Sequence, residues 1–267
     1  MYLKRIGIIM FVSALSFFLN VASQQAIGEE KAAQGETFTN SLGMNFVLIP
    51  AGTFMMGSPS DELGRRKDEL QHKVTITKSF YLQSTEVTQR QWREIMDSNP
   101  SCFKDCGDNC PVEQVSWDGA QEFIVKLNER EGTDKYHLPT EAEWEYACRA
   151  GSTTKFCFGD DETKLSAHAW YYDNSGPRPH PVGQKKPNAW GLYDVHGNVR
   201  EWCQDRYGFY PSSPVADSTG PSSGTFRRVF RGGSWNDYAG RCPSAFRDWG
   251  DPGGRGYDLG FRVARDL

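Results

Sequence analysis

The sequence predicts an α+β domain that is rich in loops, with short helices and small antiparallel sheets. The chain of 267 residues contains 27 glycines and 14 prolines, and glycine at this level favours turns over long helices. Helical periodicity is confined to three short segments between residues 88 and 149, and alternating apolar residues typical of strands precede them. Strands and helices that fall in separate runs are typical of α+β domains.

The first two strands are predicted on either side of a turn at Pro50–Gly52. Apolar residues alternate along both arms, and they are Phe46, Leu48, Phe54 and Met56. The alternation resumes in HKVTITKSFYL at residues 72–82. The segments RRVFRGGSW and DLGFRVAR predict closing strands near the C-terminus.

Each predicted helix begins with a capping signal. Thr88 with Gln91, and Thr140 with Glu143, have the spacing of a capping box, in which the first side chain and the fourth satisfy backbone N–H groups. Ser116 is a favourable N-cap for the helix between them. After residue 149 the helical pattern stops, and short apolar pieces lie among Gly, Pro, Asn, Asp and Ser.

The N-terminus predicts export. Lys4 and Arg5 precede an apolar run at 6–19, and small residues follow at 21–23. This is the pattern of a secretory signal peptide, which we assign to residues 1–23. We therefore expect a secreted or periplasmic protein. The alternative is an uncleaved signal, and we expect membrane attachment only in that case.

Residues 24–40 are polar and without pattern, and they predict a linker before a single domain at 41–267. Seven cysteines in an exported chain predict disulfides. Three of them, at positions 102, 106 and 110, lack the usual CxxC pair of a zinc site. A local Cys106–Cys110 disulfide is therefore the preferred interpretation.

Charge argues against nucleic acid as a partner. The formal net charge is −4, and no basic stripe stands out along the chain. We expect a monomer that binds a peptide or protein.

Several phrases, in order from about residue 43 to 265, are similar to those of one known family. The phrases are GMNFVLIPAGTFMMGS, TEVTQRQWREIM, PVEQVSWDGAQEFIVKLN, YHLPTEAEWEYACRAG, PNAWGLYDVHGNVREWCQD, RVFRGGSW and LGFRVAR. The chain resembles the formylglycine-generating enzymes, also called sulfatase-modifying factors. That resemblance implies a variant of the C-type lectin fold with bound calcium. It also implies an activity that oxidises a sulfatase cysteine, within a Cys-x-Pro-x-Arg pattern, to formylglycine by means of oxygen and a copper ion held by two cysteines.

The resemblance implies a calcium site in GLYDVHGNVREW. Its ligands would be the side chains of Asp194 and Glu201 and the carbonyls of Gly197 and Val199. Carboxylate and carbonyl oxygens are the ligands that calcium prefers. The alternative interpretation is a polar turn that leads into a strand, with Glu201 paired to an arginine.

A second family calcium site would fall in SAHAWYYDNSGPRPHPVG. The aligned ligands are the side chains of His168 and Asn174 and the carbonyls of Ala169 and Gly176. Histidine is a poor ligand for calcium, which prefers oxygen. The alternative is that His168 is an ordinary, partly buried histidine.

The copper site is altered at its centre. In the oxidases of this family, cysteines stand three and eight positions after the serine of RGGS. Here Ser234, which lies near the oxygen site in the oxidases, is followed by Asp237 and Cys242. Copper(I) prefers thiolate ligands, so an oxidase would need another thiol, such as Cys203, in place of Asp237. Otherwise Cys242 is buried and inert, or disulfide-bonded.

The alternative to oxidation is binding through residues 235–257. Trp, Tyr and Arg are the residue types that anchor protein interfaces, and in the family this region lines the substrate groove. The residues expected to contact a partner are Tyr238, Arg241, Arg247, Trp249, Arg255 and Tyr257, whereas Trp235 and Phe246 are expected in the core. The sequence thus predicts a binding protein, with a formylglycine-generating oxidase and an accessory or maturation factor for another exported enzyme as alternatives.

Overall fold

The computed structural model describes residues 35–267. Its first half contains β1 (Thr37–Thr39), β2 (Asn45–Ile49), β3 (Gly52–Met56), β4 (His72–Ile76), β5 (Phe80–Gln83), α1 (Gln89–Met96), α2 (Trp117–Glu131), β6 (Tyr136–His137) and α3 (Glu141–Arg149). Its second half contains α4 (Leu165–His168), α5 (Tyr172–Ser175), β7 (Arg200–Arg206), β8 (Val215–Ala216), β9 (Arg228–Arg231), β10 (Arg247–Gly250), β11 (Leu259–Gly260) and β12 (Ala264–Asp266).

The strands form three small sheets. The five-stranded sheet has the order β1-β2-β5-β12-β6, and all its pairs are antiparallel. The four-stranded sheet has the order β10-β9-β7-β11, and the three-stranded sheet has the order β3-β4-β8. β11 pairs with β7, and β8 with β4, in parallel. The predicted α+β class with small, mainly antiparallel sheets is confirmed.

The predicted linker is wrong at its C-terminal end. Residues Thr37–Thr39 form β1 and pair with β2. The Phe38 ring lies 5.9 Å from that of Phe46 and 5.9 Å from that of Tyr81, so one aromatic anchors an otherwise polar strand. The predicted signal peptide and the start of the predicted linker lie outside the described residues.

The three capped helices form where the sequence predicts them. Thr88 with Gln91, and Thr140 with Glu143, make both hydrogen bonds of a capping box. The Ser116 hydroxyl accepts a hydrogen bond from the N–H of the third residue of α2. Within residues 35–267, no helix is both long and apolar enough to cross a bilayer.

Buried arginines are the unusual feature of the interior. Arg231, Arg247 and Arg262 are fully buried, among aromatic and aliphatic residues such as Trp144 and Trp202. A buried guanidinium needs a partner, and each of the three pairs with a glutamate. Cys106 and Cys110 form the expected disulfide.

Candidate functional site

Asp237, at the position of the first copper cysteine, is held by an arginine. Arg200 donates two hydrogen bonds to its carboxylate, at 2.8 and 2.6 Å. The Ser234 hydroxyl donates to Asp237 at 2.7 Å, and Arg241 approaches it at 3.3 Å. Asp237 is buried, so its charge is neutralised inside the protein rather than presented to solvent.

Cys242 lies in an apolar cluster behind Asp237. Its thiol is fully buried against Phe156, Leu165 and Ala239. Burial raises the pKa of the Cys242 thiol, and the Asp237 carboxylate raises it further. The sulfur is therefore held as a neutral thiol, whereas both nucleophilic attack and metal binding use the thiolate.

Neither Cys203 nor His196 activates Cys242. Cys203 is buried in the main core, a cluster separate from the one that holds Cys242. His196 Nδ1 donates to the Cys242 carbonyl at 2.8 Å, and its Nε2 accepts from the Cys157 N–H at 3.1 Å. Both ring nitrogens are thus engaged with backbone, and burial lowers the His196 pKa to about 4.

Exposed tyrosines surround this buried centre. Tyr172, Tyr238 and Tyr257 are 50%, 63% and 44% exposed. We call these three residues, together with Arg241, the tyrosine surface. The rings of Tyr172 and Tyr238 lie 4.4 Å apart. The Tyr172 N–H donates to the Asp237 carbonyl at 3.0 Å, so the surface is fixed to the same residue that pairs with Arg200.

The ring of Tyr257 packs 5.6 Å from that of Trp235. Trp235 and Phe246 are buried, in the positions expected of core residues. Sequence reasoning missed Tyr172, because it lies some 65 residues before its neighbours in the surface and carries no motif of its own.

Of the other three residues expected to contact a partner, one is buried, one is half-buried and one is exposed. Arg247 is only 1% exposed and donates to both carboxylate oxygens of Glu141, at 2.8 and 2.7 Å. Its expected role at a partner surface does not fit this position. Trp249 is half-buried, with the Arg227 guanidinium 3.4 Å from its ring centre. Arg255 is exposed on the following turn.

The predicted calcium loop makes a tight turn. Asp194 and Asn198 have φ angles of 61° and 67°, and the Gly197 N–H donates to the Asp194 carbonyl at 3.2 Å. A side chain at Gly197 would place its Cβ 2.2 Å from the carbonyl oxygen of Trp170. Only glycine fits there, because any other side chain would collide with the Trp170 backbone.

Glu201, the predicted fourth ligand, is already engaged. Arg262 donates to its two oxygens at 2.6 and 2.7 Å, and the Trp144 indole donates at 2.7 Å. This is the arginine pairing that the sequence left open as the alternative. These three donors use most of the acceptor capacity of a carboxylate, which has about four acceptor sites, so Glu201 as placed is poorly suited to hold calcium.

Two buried carboxylate oxygens near this loop have no partner. They are Oδ1 of Asp194 and Oε2 of Glu86. Burial, with Asp194 next to it, raises the pKa of Glu86 well above its usual value, and burial raises that of Asp194 to about 6. Two adjacent carboxylates suit a hard cation, and Glu86 belongs to the TEVT phrase, which sequence reasoning did not connect with calcium. Among residues 35–267, however, no three acidic, histidine or cysteine side chains are placed to share a metal.

The second calcium set does not fit a cation. The Asn174 amide donates to the Ala169 carbonyl at 2.9 Å, so two of the expected ligands are bonded to each other. The Gly176 carbonyl accepts from the Ser175 hydroxyl at 2.8 Å. The His168 ring stacks on that of Phe158, 4.3 Å away. His168 is thus a partly buried packing residue, which was the alternative interpretation.

Comparison with protein families identifies the domain. Residues 31–267 match the model of the sulfatase-modifying factor enzyme 1-like domain. The chain belongs to this family. Two solved structures share the family fold over 88% of the chain: Treponema denticola variable protein 1, with a TM-score of 0.80 and 32% identity, and PvdO from Pseudomonas aeruginosa, with 0.79 and 31%. The matches cover 100% and 99% of those two chains. This similarity confirms the predicted variant of the C-type lectin fold.

Relatives of this sulfatase-modifying factor domain carry different names. The chaperone protein LppX of Paenibacillus barcinonensis is 29% identical over 93% of the chain and 97% of its own length. A formylglycine-generating enzyme of Streptomyces coelicolor is 36% identical over 59% of the chain, but the match spans only 53% of that enzyme. The serine/threonine-protein kinase pkn1 of Chlamydia pneumoniae is 32% identical, and the match spans 38% of its length. Family membership alone therefore does not assign an activity.

Proposed function

We propose that this chain is an exported sulfatase-modifying factor protein that binds a peptide or protein partner through the tyrosine surface, and that it lacks the two-cysteine copper site of the oxidases. The observation that carries the proposal is the ion pair between Arg200 and Asp237, with exposed tyrosines arranged around it. The pair occupies the position where an oxidase needs a thiolate.

Copper(I) does not suit this pair of residues. A carboxylate is a harder ligand than a thiolate, and here it is neutralised by a guanidinium and a hydroxyl. Cys242, the remaining cysteine, is a neutral thiol enclosed by apolar side chains. A metal would have to break the Arg200–Asp237 pair and ionise a buried sulfur.

Binding suits the same surface well. Tyrosine presents a large, rigid contact area with a polar tip, and arginine adds donors, which is why both are enriched at interfaces. The rings of Tyr172 and Tyr238 lie 4.4 Å apart at an angle of 42° and support each other. Their backbone is fixed by the hydrogen bond between Tyr172 and Asp237, so little conformational entropy remains to be lost on binding.

The binding proposal is tested with peptides selected from an unbiased display library against the wild-type protein. Dissociation constants are then measured for the double variant Tyr172→Ala/Tyr238→Ala and for Tyr257→Ala. We expect affinity to fall at least tenfold in each. Phe226→Ala is the matched control, because Phe226 is 64% exposed and lies outside the tyrosine surface. Unchanged affinity in the tyrosine variants, or a loss confined to Phe226→Ala, would refute the proposal.

A formylglycine-generating oxidase is the second candidate, favoured by the retained Ser234 at the buried centre and by the similarity to a formylglycine-generating enzyme. The test is to incubate the mature protein with copper, oxygen and a Cys-x-Pro-x-Arg peptide and to weigh the peptide by mass spectrometry. We expect no aldehyde. Conversion that disappears in Cys242→Ser would establish oxidase activity and overturn our account of Asp237.

An accessory role is compatible with the same surface. The similarity to a protein named as a chaperone extends over almost the full length of both chains, which supports a partner that is itself a protein, such as an exported enzyme under maturation. Co-purification of a tagged mature chain from the cell envelope, with and without Tyr238→Ala, distinguishes a protein partner from a short peptide ligand.

A further inference from the structure

A pocket of about 320 Å³ opens between α3, β7 and the irregular segment that follows β7. This volume is at the lower end of the range of small-ligand sites, which is roughly 300–1,000 Å³. Its walls are mainly apolar and include Met56, Phe209, Val215 and Pro221. It lies apart from the tyrosine surface, none of whose residues line it.

Asp205 lines this pocket with an incompletely paired carboxylate. The residue is only 2% exposed. Its Oδ2 accepts a hydrogen bond from the Glu141 N–H at 2.8 Å, at the start of α3. Within residues 35–267, no group donates to its Oδ1. A Cβ at Gly220 would lie 3.1 Å from that oxygen, so Gly220 keeps the loop beside the carboxylate open.

The neighbouring cations are committed to other acids. Arg247 is bound by both oxygens of Glu141, and Arg231 pairs with Glu145. In the described part of the chain, no lysine, arginine or histidine forms an ion pair with Asp205. The pocket therefore contains one buried acid without a counter-ion.

The groups around Asp205 have a net effect that favours its protonated form. Burial raises its pKa well above the usual value, and the charges of Glu141 and Glu143 on α3 raise it further. The Glu141 N–H and Arg247 on β10 oppose this shift. A positive charge placed beside Oδ1 would favour the ionised form, because an opposite charge at short range stabilises the carboxylate.

We propose that this pocket binds a primary ammonium group on a short alkyl chain, with the ammonium at Asp205 Oδ1 and the alkyl chain against the apolar walls. Only one oxygen of the carboxylate is free, which suits the point charge of an ammonium better than the paired donors of a guanidinium. It also suits a metal ion poorly, since calcium and magnesium need several oxygen ligands.

The test is isothermal titration of the mature protein with n-butylamine at pH 8, where the amine is still protonated. We expect binding, and we expect none from n-butanol, which has the same shape without the charge. Affinity should increase from pH 5 to pH 8 as Asp205 ionises. N-acetyl-lysine methylamide is titrated in parallel. Tight binding of this compound identifies a lysine side chain as the ligand, and binding of butylamine alone identifies a free amine.

Two variants separate the pocket from general electrostatic attraction. Asp205→Asn retains an acceptor for the Glu141 N–H and removes the charge, so we expect a folded protein with at least tenfold weaker binding. Ser218 also lines the pocket, so Ser218→Trp should fill it while leaving Asp205 in the chain, and we expect the same loss of binding. Glu129→Gln, at an exposed site on α2, should bind butylamine as the wild type does. Equal affinity in Asp205→Asn, binding of butanol as tight as that of butylamine, or no binding by the folded wild type would overturn the proposal.

Discussion

The guanidinium of Arg200 donates two hydrogen bonds, of 2.8 and 2.6 Å, to the carboxylate of Asp237. The carboxylate also accepts hydrogen bonds from Ser234 and Arg241, and the backbone carbonyl of Asp237 accepts one from the Tyr172 N–H.

Removing one member of this pair should destabilise the fold. Arg200→Met leaves the Asp237 carboxylate buried with only weaker donors, and the free energy of unfolding should fall by about 3 kcal/mol, at the lower end of the loss when a buried pair is broken. Arg241→Met is the matched control: its side chain is 54% exposed, and solvent-exposed pairs contribute little. Urea unfolding at pH 7 measures both. Equal, small losses would mean that Arg200 is not the partner on which Asp237 depends.

An added methyl group should strongly destabilise the protein at Gly197 and have almost no effect at Gly253. Gly197→Ala drives a Cβ to 2.2 Å from the Trp170 carbonyl and should lose about 3 kcal/mol, the upper end of the usual loss from overpacking. Nothing lies within 4 Å of a Cβ at Gly253, so Gly253→Ala should change stability by less than about 0.5 kcal/mol. Thermal unfolding of the two variants decides it. A tolerated Gly197→Ala would show that the turn at Asp194 relaxes easily.

Calcium, if it binds, should act through Glu86 and Asp194. Their unpartnered buried oxygens are the best ligands that the structure offers, so calcium should raise the melting temperature. The gain is about 2.7 kcal/mol at a calcium concentration 100 times the dissociation constant. The double variant Glu86→Gln/Asp194→Asn should melt at the same temperature with calcium as with a chelator, whereas exposed Glu94→Gln should still respond. If calcium does not change the melting temperature of the wild type, Glu86 and Asp194 instead share a proton as a carboxylic acid next to a carboxylate.

A single thiol should react in the native protein. Cys102 is exposed, whereas Cys148, Cys203 and Cys242 are buried. Burial also raises the pKa of the half-buried Cys157 to about 12, so at pH 8 it is almost entirely protonated and slow to react. Ellman's reagent should label Cys102 quickly, and Cys102→Ser should remove the fast phase. Rapid labelling of Cys242, detected by peptide mapping, would contradict its burial.

Asp205 should make the protein less stable as the pH rises. Its pKa in the folded state lies well above the usual value of an aspartate, so the folded state holds this proton more tightly than the unfolded chain does. The resulting stabilisation is fully present below about pH 4, near the unfolded pKa, and is lost as the pH rises through the folded pKa. Asp205→Asn cannot titrate, so its stability relative to the wild type should increase between pH 4 and pH 7. Guanidine unfolding at several pH values measures the difference in the free energy of unfolding between the variant and the wild type. A difference that does not change with pH would contradict the prediction.

Local features of the fold were predictable because their signals are local. In α1 and α3 the two capping residues lie three positions apart, so a short stretch of sequence contains the whole signal. The strand β1 was missed because its one aromatic residue, Phe38, is held by contacts with Phe46 and Tyr81. These contacts form only in the folded chain, so the local sequence does not indicate them.

The positions of charged residues were the least predictable part of the candidate site. Arg247 was expected on the surface, yet its partner Glu141 lies 106 residues earlier in the chain. Arg200 precedes Asp237 by 37 residues, and no spacing rule joins them. Burial of a charge depends on a partner supplied by tertiary structure, so a single sequence gives the residue types of this site without their pairing.

The place of β12 in the five-stranded sheet has a consequence for biosynthesis. It lies between β5 and β6, and Ala264 pairs with Leu82, so about 180 residues must be translated between the two partners. At the usual rate of about 5–20 residues per second, this takes roughly 10–40 s. During that interval the edge of β5 has no neighbour at the position that β12 later fills. A nascent chain of this design has an open strand edge for most of its time on the ribosome, and this is the interval in which a holding factor would matter most.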